Sequence, residues 1–125
     1  MATNPNNNLN LRGTVISEPF YTKRKSDGVE FACSFILGVQ RNYRNKGVYL
    51  SDQILCQMEN EERMQLCHQY LQKGVEISLV GALRTVVDEQ GHYSMHVLTE
   101  SFTATASKPS IYDVDIDINQ LPFSK

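Results

Sequence analysis

The chain has 125 residues, a net charge of -2, 41% hydrophobic and 21% charged residues, and three cysteines. That is enough for one domain with a modest core, in a composition unlike that of a disordered or membrane chain, and no apolar run nears the roughly 20 residues of a spanning helix. An odd cysteine set at irregular spacing is no disulfide framework, so Cys33, Cys56 and Cys67 read as small buried apolar side chains, and the polar start MATNPNNNLN lacks the apolar core of a secretory leader, which makes the cytoplasm the expected compartment.

The first predicted element is a strand in which Leu9, Leu11, Gly13 and Val15 alternate with polar residues, broken by Pro19. KRKSDG at 23–28 carries a turn signal in Asp27-Gly28. In VEFACSFILGVQR the residues Val29, Phe31, Cys33, Phe35, Leu37 and Val39 fall on one face, which predicts a long second strand. NYRNKG at 42–47 reads as a polar hairpin loop, and VYLSDQILCQM at 48–58 returns as a third strand. The period then lengthens. Over 58–74 Met64, Cys67 and Leu71 sit at helical spacing, with Leu66 and Tyr70 widening the stripe, Asn60 as the candidate cap and Gly74 as the stop. VEISLVGALRTVV alternates again as a fourth strand, DEQGH at 88–92 makes a turn, and YSMHVLTESFTATA forms a fifth. SKPS at 107–110 has linker composition, so residues 1–107 are read as the domain and 108–125 as a short linker with an acidic tail.

Charge is unevenly placed. Arg12, Lys23, Arg24, Lys25, Arg41, Arg44 and Lys46 fall in the first part of the chain, opposed there by Glu18, Asp27 and Glu30, while Asp113, Asp115 and Asp117 crowd the end. Such asymmetry fits a nucleic-acid face with a separate tail, and it also fits an ordinary solvated surface.

Three strands, a helix and two strands is the order of an OB-fold, a five-stranded Greek-key barrel in an all-β domain with one helix. Gly13, Gly38 and Gly81 lie inside strands, where a barrel needs sharp coiling or close backbone approach. On top of this order, GVEFACSFILGVQRNYRNKG at 28–47, YLQKGVEISLVGALRT at 70–85 and NLNLRGTVISEP at 8–19 resemble blocks of the bacterial and phage single-stranded DNA-binding proteins (SSB), in the family's order. The end, DVDIDINQLPFSK, resembles the acidic tip of that family.

The resemblance implies sequence-independent binding of single-stranded DNA in replication, recombination and repair, by a homotetramer or a dimer, without cofactor, metal or catalytic residues. Tyr43 matches a family position that carries a stacking aromatic, and Arg41, Arg44 and Lys46 flank it for phosphate contact. Arg12 and Arg84 on strands, and the Lys23-Arg24-Lys25 patch, are further candidates for the backbone. In the tail, Asp113, Asp115 and Asp117 would meet basic pockets on partner proteins and Leu121, Pro122 and Phe123 an apolar slot. The chain departs from the family where Gln53, Glu59 and the Val87-Asp88 region replace common aromatics, and where Ser124-Lys125 follow the terminal Phe. Tyr21, Tyr49, Tyr93 and Phe20 could rebuild the stacking surface or could be packing residues. The depleted platform predicts weaker binding with more reliance on charge. A protein-interaction OB module, of the primosome-accessory kind, is the competing reading, and a phage or mobile-element variant with a redirected tail is a third. Neither a phosphate-binding loop nor a nucleophile elbow is present, and His92 and His96, four strand residues or roughly 13 Å apart, are too distant to share a metal.

Overall fold

The computed structural model describes residues 4–104. Its architecture is a barrel of five strands with a sixth laid on the outside. β1 (Leu9–Val15) pairs with β5 (Glu76–Val87), β5 with β6 (Tyr93–Ala104), β6 with β4 (Val48–Glu59) and β4 with β3 (Glu30–Asn45). β3 returns to β1 through Thr14↔Gly38 and Val15↔Leu37, which closes the ring. All pairings are antiparallel except β4 with β6. The parallel step arises because α1 (Met64–Tyr70) crosses from β4 to β5, so that β6 comes back beside β4 in the same direction. This is the predicted OB-fold.

Alternation sorts the side chains. Cys33, Phe35 and Leu37 of β3, Cys56 and Met58 of β4, Ile77 and Leu79 of β5 and Val97 of β6 point inward and are buried. The helical stripe Met64, Cys67 and Leu71 plugs one end of the barrel. All three cysteines are free and buried, and burial pushes the Cys56 thiol up to about 12, so it stays protonated and inert.

Two glycines are required by closure. A Cβ on Gly13 would lie 2.2 Å from the Gly38 carbonyl oxygen, beside the pairs that close the ring. A Cβ on Gly81 would lie 2.4 Å from the Leu98 oxygen, at the register shift between β5 and β6. Both are places where two backbones approach within the space of a side chain.

Four expectations are corrected. The predicted connection before the second strand holds a strand of its own, β2 (Phe20–Lys23), paired with Ser34 to Glu30 of β3. Residues 42–45 are strand rather than loop: the turn needs only Lys46 and Gly47, both at positive φ (55° and 82°), the backbone hand that matches strand twist. The helical segment is shorter than 58–74. β4 runs to Glu59, Asn60 turns the chain at φ 106° and caps Glu62 N–H at 3.0 Å, and the helix stops at Tyr70 because Leu71 turns extended into the core. Leu66 and Tyr70 do not widen the buried stripe; each is 45% exposed on the outer side of α1.

Candidate nucleic-acid interface

Beyond the core, β3 and β4 continue as a projecting arm. Between the pairs Gln40↔Ser51 and Arg44↔Tyr49, β3 advances four residues while β4 advances two. The bulge lies at Arg41, Asn42 and Tyr43, and a bulge of this kind re-aims the side chains on it. Tyr43 is 52% exposed, with its hydroxyl accepting a 3.0 Å hydrogen bond from Arg41 Nη1. Arg41 is itself held by Asp52 Oδ1, through Nε at 3.0 Å and Nη2 at 2.7 Å, and that bond keeps its guanidinium charged well above the ordinary range. Arg44 lies over the Tyr49 ring, 4.5 Å from its centre. Neither Arg44 nor Lys46 has a salt-bridge partner among the described residues. The arm therefore carries two exposed rings and two uncompensated cations close together, while Arg41 orients a ring.

The other basic candidates are spread over the outer surface. Arg84 is exposed on β5 opposite His96, on the same outward side of the barrel as the Ile36↔Leu55 pair of β3 and β4. Arg12 is bound to Glu76 across β1 and β5 at 3.1 Å. In the Lys23-Arg24-Lys25 patch the lysines are exposed, but Arg24 braces two turns, bonding Asp27 at 3.0 Å and Glu61 at 2.6 Å. The tail residues Asp113, Asp115, Asp117, Leu121, Pro122 and Phe123 lie outside the described residues.

The reserve aromatics divide. Tyr21 is a packing residue: its ring stacks on His68 at 3.9 Å and 9°, His68 Nε2 lies 2.7 Å from Glu30 Oε1, and burial, with Cys33 beside it, pushes the phenol well above its ordinary range. Phe20 is 68% and Tyr93 77% exposed. Tyr93 sits directly across from Val87. Met95 and Leu83 share its face and are 61% and 42% exposed, so a second hairpin, β5–β6, also presents an apolar strip. Alternation alone could have shown that face but not that it projects past the core.

The tip of that hairpin is tied by Asp88, whose carboxylate accepts from the amides of Gln90 at 2.9 Å and His92 at 2.8 Å. These bonds, His92 first, hold the Asp88 carboxyl below its ordinary range. A depressed folded value contributes stability above the unfolded value that is lost as pH falls through the folded one. Acidification below the ordinary carboxylate range is thus expected to loosen the tip, read as coordinated shifts of the Gln90 and His92 amide resonances while the core amides stay fixed.

No family model matches the chain, and no curated protein matches it in sequence. Solved structures do match. The Plasmodium falciparum SSB in complex with ssDNA superposes with a TM-score of 0.66 at 18% identity, over 85% of this chain and 100% of that one. The dimeric N-terminal domain of PriB from Thermoanaerobacter tencongensis gives 0.60 at 19%, over 81% and 98%. The small single-stranded DNA-binding protein of Streptomyces coelicolor gives 0.56 at 17%, over 78% and 92%. At these identities the likeness is one of fold, and it agrees with the strand order: the chain is an OB-fold barrel built like these three proteins.

Proposed function

We propose that the chain is an SSB-type protein that coats single-stranded DNA without sequence preference. The observation that carries this reading is the bulged β3–β4 arm, which sets Tyr43 and Tyr49 beside Arg44 and Lys46. Bases stack on the rings at about 1–3 kcal/mol each, and the cations neutralise the adjoining phosphates. Arg41 serves here chiefly by holding the Tyr43 hydroxyl, since Asp52 offsets its charge. Arg84, Lys23 and Lys25 extend the phosphate track, and the Tyr93 strip offers a further stacking surface. Two of the structurally similar proteins are named for single-stranded DNA binding or are bound to it, which supports the reading. The protein works as a homo-oligomer, tetramer or dimer, and its acidic tail recruits replication, recombination and repair proteins through Asp113, Asp115, Asp117 and Leu121-Pro122-Phe123.

One observation favours the second reading, a protein-interaction OB module with secondary DNA contact: Arg12, Arg24 and Arg41 are each engaged by carboxylates, which thins the basic surface. Fluorescence anisotropy separates the two. Labelled oligo-dT is expected to bind more tightly than duplex of equal length, with log affinity falling against log salt by roughly 0.7 per phosphate neutralised. Equal, weak binding to both forms, indifferent to salt, would transfer the function to protein contacts.

A further inference from the structure

β6 has an edge with no strand beside it among the described residues. β4 pairs with it only at Val97 and Leu98, while β5 covers the opposite edge as far as Ala104. Alternate N–H and C=O groups along 99–104 therefore face away from β5 with no ladder to join. The register shift leaves Glu100 without a β5 partner, and its carbonyl accepts instead from Arg63 Nη1. Thr99 beside it is buried, and its hydroxyl has no partner among the described residues.

Between this edge and the helical segment run two cavities, one of about 310 Å³ reaching from Arg63 to Leu98–Glu100, the next of about 250 Å³ between Leu66 and Tyr70 and Phe102–Ala104. Arg63, Leu66 and Tyr70 follow one another at three- and four-residue spacing, so they form one wall. The wall explains the exposure of Leu66 and Tyr70, an apolar pair on a short helix with nothing over it among the described residues.

Ala104, the last described residue, lines the second cavity. Residues 105–110, TASKPS, are long enough for a hairpin connection. IYDVDIDI at 111–118 then alternates with the period of a strand, with Tyr112, Val114, Ile116 and Ile118 on one side and the aspartates on the other. At roughly 3.3 Å per residue, eight residues span about 26 Å, against about 20 Å for the six-residue edge.

We propose that residues 111–118 add to the edge of β6 as an antiparallel strand, seating their apolar side against Leu66 and Tyr70 and turning Asp113, Asp115 and Asp117 to solvent. Strand addition to an exposed edge supplies backbone hydrogen bonds, and the alternate side chains fill the cavities. This inference does not depend on what the β3–β4 arm binds.

Hydrogen exchange on the full chain tests it. Those amides of residues 99–104 that face away from β5 are expected to exchange at least about tenfold faster in Ile116→Pro, which lacks the N–H and cannot continue a ladder. Asp115→Asn, on the solvent side, is expected to leave their protection unchanged. Circular dichroism and the exchange of β3 amides confirm that both variants are folded. Equal exchange of 99–104 in the parent and Ile116→Pro would overturn the proposal. Protection that persists on tenfold dilution supports seating within one chain, and protection that fades on dilution would overturn it in favour of a strand from a second copy.

Discussion

Tyr43→Ala is expected to weaken oligo-dT binding by about five- to 150-fold at fixed salt, the equivalent of roughly 1–3 kcal/mol for one lost base stack. The ring is more than half exposed on a bulged arm, so its removal should leave the thermal unfolding transition in place. Tyr43→Phe separates the contributions. It keeps the stacking face and loses only the 3.0 Å bond from Arg41, so most of the affinity should remain. Arg44→Gln should act differently: Arg44 has no acidic partner among the described residues, and losing it should lower the salt slope by about one phosphate's worth. A Tyr43→Ala protein that binds oligo-dT as well as the parent would show that the arm is not the base-contacting surface.

Gly13→Ala is expected to cost more than about 3 kcal/mol of folding free energy in urea denaturation, or to prevent folding outright. The added carbon would sit 2.2 Å from the Gly38 carbonyl oxygen, and a backbone atom at a barrel seam cannot step aside as a side chain can. Gly38→Ala supplies the contrast. Its new carbon would meet the Ile16 Cγ2 at 3.1 Å, and Ile16 is 39% exposed with room to move, so the loss should be much smaller. Comparable midpoints for Gly13→Ala and the parent would mean that β1 and β3 do not meet closely at Thr14↔Gly38.

How much of this could be read from the residues depends on the distance over which each signal acts. The five barrel strands and the helix were legible because each writes a period into a local window: Cys33-Phe35-Leu37 at two, Met64-Cys67-Leu71 at three and four. β2 was not, since Phe20–Lys23 is too short to show a period and follows Pro19. Residues 42–45 read as loop because they are polar, and polarity marks exposure rather than backbone shape; only Lys46-Gly47 carry the turn. Within the site, Tyr43 and its neighbouring cations were legible as a cluster. What they pair with was not: Arg24 meets Glu61, and Arg12 meets Glu76, across pairings that only the closed barrel creates. Tyr93 was legible as an aromatic, but its place opposite Val87 depends on the register of a hairpin.

The seam between β1 and β5 also bears on time. Leu9 through Thr14 find their partners in Gly81 through Glu76, at the far side of the sequence, and the ring cannot close without them. Searching for so remote a partner costs loop entropy before any contact repays it, which places a barrel like this among slow folders, in the millisecond-to-second range rather than the microseconds of a helical bundle. During synthesis β1 waits until β5 has followed, with the side it presents to β5 unpaired in the meantime.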